Sequence, residues 1–114
     1  TDRRHHMIIS GGVNIYPQEA ENMLVTHPKV MDAAVFGIPD EEMGQSVKGV
    51  IQLVDPADAD DDLAEELLVW LRDRLAHYKC PRTLSFEAQL PRTDTGKLYK
   101  QELIARYSAP TPTG

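Results

Sequence analysis

The sequence predicts a small α+β domain in which helices pack on a small β-sheet. Three observations predict this class. Short apolar segments of strand-like composition recur along the chain, two other stretches repeat their apolar residues at helical spacing, and turns rich in glycine, proline or aspartate separate these segments. With 114 residues, the chain has the length of one domain with a modest core.

The first segment predicts a β-hairpin. The apolar residues 7–9 lead into Gly11 and Gly12, and residues 13–16 can form the returning strand. Adjacent glycines let the backbone turn sharply or let a ligand approach closely. The pair by itself is a weak phosphate-binding signal, because no Gly-x-Gly-x-x-Gly spacing surrounds it.

The next segments predict a helix and two strands. Pro17 and Glu19 are typical of a helix start, and Pro28 ends the helix. Residues 30–38 have the composition of a strand, and residues 45–54 alternate polar and apolar side chains as a half-buried strand does. The turn residues between these two strands suit an antiparallel connection.

The second half predicts a longer helix, a short strand and a terminal helix. After an acidic loop at 55–62, apolar residues repeat at spacings of three and four from Leu63 to Tyr78, and they include Trp70 as a core residue. Residues 83–86 predict a last strand at an edge of the sheet, and residues 99–105 predict the terminal helix.

The charges are distributed unevenly. The net charge is −6, yet residues 77–107 contain six bases and three acids. This segment can meet a small anionic ligand such as a nucleotide, whereas the pI of about 5.1 argues against a nucleic-acid surface. The single Cys80 excludes an internal disulfide and fits a reducing compartment, so we expect a cytoplasmic protein. The histidines are too scattered to predict a metal site, and no apolar run approaches the ~20 residues of a membrane helix.

The loop at residues 90–97, LPRTDTGK, is the strongest candidate for chemistry. Pro91 restricts the backbone, Gly96 can adopt positive φ, and together they predict a defined exposed loop that presents Lys97. A lysine there delivers a compact positive charge to an anionic group. The loop is not a P-loop, because Leu98 stands where a serine or threonine would bind magnesium.

Two motifs together resemble those of a known superfamily. Residues 2–19, DRRHHMIISGGVNIYPQE, resemble the hinge-and-strand motif that begins the C-terminal domain of adenylate-forming enzymes. Residues 90–97 resemble the motif that ends it. The superfamily contains acyl-CoA synthetases, adenylation domains of non-ribosomal peptide synthetases and luciferases. The sequence of residues 7–12 and 15–17 is most similar to that of the CoA ligases. The resemblance covers nearly the whole chain.

The resemblance implies a reaction and a domain organisation. A carboxylic acid, expected to be a fatty acid, attacks Mg-ATP to give an acyl-adenylate, and CoA then displaces AMP. ATP, Mg²⁺ and the acyl chain are held mainly by a large N-terminal domain. We therefore expect residues 1–107 to be the C-terminal domain starting at the hinge, residues 108–114 to be a flexible tail, and the N-terminal domain to lie in a longer chain. Isolated from it, the domain is expected to be inactive.

The resemblance also implies residue roles. Lys97 is the catalytic lysine of adenylation, Arg3 reaches the nucleotide, and His5 occupies the hinge, where the family commonly has aspartate or lysine. Gly11 and Gly12 line the pantetheine channel. The remaining candidates, for contact with the CoA phosphates, are Lys79 and Arg82.

Two other functions remain open from the sequence. One is an adenylation domain that loads a carrier protein instead of CoA. The other is a free-standing domain that binds a nucleotide or a protein partner.

Overall fold

The computed structural model describes residues 7–108. It has five strands and three helices within that range, with bounds as follows: β1 (Ile8–Ser10), β2 (Val13–Ile15), α1 (Pro17–Leu24), β3 (Val30–Asp40), β4 (Gly44–Leu53), α2 (Asp61–Arg72), β5 (Thr83–Phe86) and α3 (Lys100–Ser108). Two short 3₁₀ turns, Pro56–Asp58 and His77–Lys79, lie before and after α2. None of the helices in the described range is long and apolar enough to cross a bilayer.

The strands form two sheets, a hairpin and a three-stranded main sheet. β1 and β2 pair antiparallel as a separate hairpin, with Ile8 opposite Ile15. The main sheet has the order β3-β4-β5. β3 and β4 are antiparallel, as predicted, and β5 adds to the other side of β4 in parallel. The predicted edge position of β5 is therefore confirmed.

The main sheet is covered on both faces, because alternate residues of a strand point to opposite sides. On one face, α1, α2 and the β1–β2 hairpin pack around Val35 and Ile51. On the other face, α3 packs through Leu103 on Phe36 and Val50. The fold is an α+β arrangement with three layers, and the predicted class is confirmed.

α1 and α2 begin where local chemistry favours a helix. Pro17 occupies the first turn of α1, as predicted. The side chain of Asp60 accepts a hydrogen bond of 2.8 Å from the Leu63 N–H and so caps α2.

The end of α2 differs from the prediction. The helix stops at Arg72, and the apolar spacing that continues to Tyr78 belongs to the following turns. The Arg74 guanidinium donates to the Trp70 carbonyl at 2.9 Å and lies 4.2 Å from the centre of the Trp70 ring, which satisfies one of the carbonyls at the helix end. Leu75 still packs against the core from the turn, whereas Tyr78 is exposed. Spacing alone could not separate a helix from two successive turns that bury the same side.

Candidate functional site

The loop that carries Lys97 is a tight, internally hydrogen-bonded turn. The Thr93 N–H donates to the Lys97 carbonyl at 2.8 Å, and the Gly96 N–H donates to the Thr93 carbonyl at 2.8 Å. Gly96 has a φ of 85°, as the predicted turn requires. Lys97 is exposed and begins the returning arm of the loop.

Arg92 fastens this loop to the main sheet. Its Nε and Nη2 both donate to Asp32 Oδ2 of β3, at 3.0 and 2.6 Å, and its Nη1 donates to the Gly96 carbonyl at 2.6 Å. Arg92 also pairs with Leu98 across the loop as an antiparallel bridge. One guanidinium thus links β3 to the residue that precedes Lys97. Sequence reasoning missed Asp32, since nothing local relates two residues 60 positions apart.

The two flanks of the loop are buried. Leu90 is in the core beside α3, and its N–H donates to Gln52 Oε1 at 3.1 Å. Lys100, at the start of α3, is 8% exposed and pairs with Glu21 Oε2 at 2.7 Å. The same Glu21 oxygen accepts the Val35 N–H of β3 at 2.8 Å. The exposed loop therefore lies between two fixed ends.

Gly11 and Gly12 form the turn of the β1–β2 hairpin. Their φ values are +58° and +81°, so both residues need the conformation that glycine adopts most easily. The Gly11 N–H donates to the Met43 carbonyl at 2.9 Å, and a Cβ at Gly11 would lie 2.7 Å from Met43 Cε. A Cβ at Gly12 would meet nothing within 4 Å. Gly12 thus faces open space, while Gly11 is held against the β3–β4 turn.

The two cations predicted to contact CoA phosphates each lie near a carboxylate. Lys79 Nζ is 3.0 Å from Glu19 Oε1 of α1, and this hydrogen bond raises the pKa of Lys79. Arg82 Nη1 is 3.8 Å from Asp40 Oδ1 at the end of β3, and the Arg82 side chain is 64% exposed. Glu19 was expected at the helix start, where it is found, and its pairing with Lys79 is an additional contact.

The structure brings Gly11 and Arg82 to one end of the main sheet. Met43 connects them, since its carbonyl accepts from Gly11 and its N–H donates to Asp40 Oδ2 at 2.8 Å. We call this region, formed by Gly11, Gly12, Met43, Asp40 and Arg82, the glycine rim.

The lysine loop is fastened at the opposite end of β3. Asp32, which binds Arg92, and Asp40, which belongs to the glycine rim, are eight positions apart on β3. An extended strand rises about 3.3 Å per residue, so the two aspartates are roughly 26 Å apart. The structure thus separates the predicted site residues into two groups.

The remaining sequence predictions fall elsewhere. Arg3, His5 and residues 109–114 of the predicted tail lie outside the described residues, while Ser108, also predicted in the tail, is the last residue of α3. Within residues 7–108, no group of three or more histidine, cysteine, aspartate or glutamate side chains is placed to hold a metal ion.

A polar cluster under α3 was not predicted. Lys48 is 8% exposed, and its Nζ donates to Ser85 Oγ at 2.7 Å and to Thr83 Oγ1 at 3.2 Å. It also lies 4.9 Å from the centre of the Tyr107 ring. Burial lowers the pKa of Lys48 and, with the hydrogen bond to Glu87, raises the pKa of Tyr107 to about 12. The cluster links β4, β5 and α3.

Comparisons with known proteins identify the family of this chain. Residues 19–97 match the family model of the AMP-binding enzyme C-terminal domain. The chain is 47% identical over 106 residues to a feruloyl-CoA synthase of Amycolatopsis sp, covering 93% of this chain and 21% of that protein. It is 41% identical over 103 residues to a long-chain-fatty-acid–CoA ligase of Bacillus subtilis (strain 168), covering 90% of this chain and 18% of that protein.

Solved structures agree as well. ATP-bound MatB from Rhodopseudomonas palustris superposes with a TM-score of 0.83 and 32% sequence identity, covering 91% of this chain and 20% of that one. The fold is thus that of the C-terminal domain of AMP-binding enzymes. The chain belongs to the AMP-binding enzyme C-terminal domain family, within the superfamily that contains the acyl-CoA synthetases. It spans about a fifth of the length of the curated relatives that it matches.

Proposed function

We propose that this chain is the C-terminal domain of an ATP-dependent acyl-CoA synthetase. The complete enzyme converts a carboxylic acid, of the fatty-acid class, and Mg-ATP into an acyl-adenylate, and then transfers the acyl group to CoA. Mg²⁺ and most of the nucleotide and acyl contacts belong to the N-terminal domain of the same enzyme. The single free thiol, Cys80, favours the cytoplasm as the place of this reaction.

The observation that carries the proposal is the separation of the two candidate groups. Lys97 and the glycine rim are fastened to opposite ends of β3, and roughly 26 Å of strand lies between the two attachment points. One small active site cannot contact both ends of the domain in the same pose. The domain therefore turns between the two half-reactions, about the hinge at His5, and presents Lys97 in the first and the glycine rim in the second.

Lys97 performs the electrostatic part of adenylation. A carboxylate and a phosphate repel each other as they approach, and the phosphorus centre gains negative charge in the transition state. An ammonium that is already in position offsets this repulsion and stabilises the developing charge. Lysine suits the task because it is a compact charge at the end of a long stem. Arg3 adds a contact to the ribose and phosphates of the same nucleotide.

The glycine rim serves the thioester-forming pose. Gly12 faces open space, which leaves room for the pantetheine arm of CoA. Arg82 is largely exposed beside it and can bind a CoA phosphate. Lys79 can do the same when it exchanges its carboxylate partner Glu19 for a phosphate.

The test compares the half-reactions of the complete two-domain enzyme. We expect Lys97→Ala to lower acid-dependent pyrophosphate release by about 10²- to 10³-fold, as the loss of a transition-state charge contact does. The same variant should form thioester from pre-made acyl-adenylate and CoA at nearly the normal rate.

Gly12→Ala is the matched variant for the other end of the sheet. It should slow thioester formation more than adenylation, because its Cβ enters the space that CoA requires. Unchanged pyrophosphate release by Lys97→Ala would refute the role of the lysine. Transfer of the acyl group to a carrier protein, with none to CoA, would assign the chain to the carrier-loading enzymes instead.

A further inference from the structure

We propose that Asp32 and Arg92 are positioning residues that hold the Lys97 loop in its adenylation geometry. The inference rests on the proposed function, since it explains how the chain places the lysine that the function requires. Neither residue needs to touch substrate. Their role is to connect the exposed loop to the rigid sheet.

The contacts of Arg92 make it the central connection of the loop. Its three donor nitrogens are divided between one carboxylate oxygen of β3 and the carbonyl of Gly96, the residue before Lys97. A planar guanidinium holds such partners in a fixed relative orientation, which a lysine in its place could not do. The position of the Lys97 backbone is thereby fixed relative to β3.

The loop depends on this connection because its own residues bury little. Residues 92–97 are all exposed, and the hydrogen bonds that close the turn run within the loop itself. Such bonds preserve the shape of the turn, and the buried flanks hold only its two ends. The Asp32–Arg92 pair adds a direct connection between the exposed part of the loop and the sheet.

The carboxylate is itself fixed. Asp32 Oδ1 accepts the Ala33 N–H at 3.0 Å, while Oδ2 receives Arg92. The Asp32 side chain is 19% exposed, compared with 42% for Arg92. Because each oxygen has its own partner, the carboxylate cannot rotate without losing one of them.

A second ion pair fixes the other flank of the loop. Lys100 binds Glu21, which accepts the Val35 N–H of β3 through the same oxygen. The loop is therefore connected to one strand from both sides, at Asp32 through Arg92 and near Val35 through Glu21. This arrangement resists both rotation of the loop and its displacement along the strand.

The consequence is a specific kinetic effect. A displacement of a reacting group by about 1 Å can cost on the order of 10²-fold in rate. Loss of the Asp32–Arg92 pair should therefore lower the kcat of adenylation. The thioester half-reaction uses the opposite end of the domain and should be spared.

The experiment uses the complete enzyme and the variants Asp32→Asn, Arg92→Ala and their combination. The Asp32→Asn change keeps the size of the side chain and an oxygen that can accept from Ala33, but it removes the charge that binds Arg92. We expect each single variant to lower the kcat of acid-dependent pyrophosphate release by about 10- to 100-fold, with a smaller effect on the KM for ATP. The double variant should be no worse than Arg92→Ala, because the two residues act through one contact.

The control is Glu102→Ala, which removes a surface ion pair with Arg106 on α3 and should leave both half-reactions unchanged. Equal losses in adenylation and in thioester formation by Asp32→Asn would overturn the proposal, since they indicate a merely structural role. Normal adenylation by Asp32→Asn and Arg92→Ala, with Lys97→Ala inactive in the same assay, would also overturn it while leaving the proposed function intact. Normal adenylation by Lys97→Ala would instead overturn the proposed function.

Discussion

The Lys100–Glu21 ion pair provides a sharp test of how the domain is held together. The two side chains are 2.7 Å apart and only 9% and 17% exposed, at the junction of α1, β3 and α3. Lys100→Met removes the cation but keeps most of the volume. Glu21 then remains as a poorly hydrated carboxylate with the Val35 N–H as its partner.

The magnitude follows from this burial. Breaking a buried ion pair by removing one partner costs about 3–5 kcal/mol. Because Glu21 keeps one hydrogen bond and some exposure, we expect a loss at the lower end, about 3 kcal/mol. A domain of this size has a free energy of unfolding of about 5–15 kcal/mol, so the loss is a large part of the total.

The assay is urea unfolding of the 114-residue chain, followed by circular dichroism. The control Glu102→Ala breaks a pair whose members are 42% and 46% exposed, and it should cost no more than about 0.5 kcal/mol. Glu21→Gln combined with Lys100→Met removes both charges and should recover much of the loss. A loss below about 1 kcal/mol for Lys100→Met, or a double variant worse than the sum of the singles, would refute the reasoning.

Two further predictions concern other parts of the core. Burial lowers the pKa of His27, and its Nδ1 accepts the Lys29 N–H at 3.1 Å, so the folded state favours the neutral ring. The unfolded chain then binds more protons below about pH 6.5, and the free energy of unfolding should fall as the pH drops through the folded pKa. Urea unfolding at pH 7.5 and 5.5 should show a smaller change in the free energy of unfolding between the two pH values for His27→Gln than for the parent. An equal change in both proteins would contradict this. Gly49→Ala places a Cβ 2.5 Å from Leu84 Cδ2 and should cost about 1–3 kcal/mol by overpacking, measured by thermal unfolding. The double variant Gly49→Ala with Leu84→Ala should lose less free energy of unfolding than the sum of the two single variants. Full additivity would argue against the clash.

The local elements were largely predictable because they depend on neighbouring residues. Pro17 begins α1, the aspartates before Leu63 begin α2, and Gly96 turns the lysine loop at positive φ. Alternation along β4 indicated a half-buried strand; the strand is present, but both of its faces are buried, because other elements cover the sheet on each side. Each of these signals acts within a few positions of the chain, where geometry leaves few alternatives.

Element ends and pairings were less predictable. α2 stops at Arg72, and the Arg74 side chain donates to the Trp70 carbonyl there, although the apolar spacing continues. The hairpin of β1 and β2 separates from the main sheet, and β5 joins β4 in parallel. Such choices depend on which surfaces the folded chain brings together.

The same division applies to the candidate site. Lys97 and the two turn glycines could be selected from the sequence, since their motifs lie within short segments. The partners Asp32, for Arg92, and Glu19, for Lys79, could not, because each pair is 60 positions apart. The buried pair of Glu21 and Lys100 joins two helices across the edge of β3 in the same way.

By itself, the sequence determined the α+β class, the helix starts, the turns and the exposed lysine loop, because these follow from short-range backbone and side-chain chemistry. Only the tertiary structure decided that the lysine loop and the glycine rim are fastened at opposite ends of β3. It also decided that an arginine and an aspartate connect that loop to the sheet. The physical reason is that distance and direction between remote segments arise from packing and charge pairing, which no local pattern encodes.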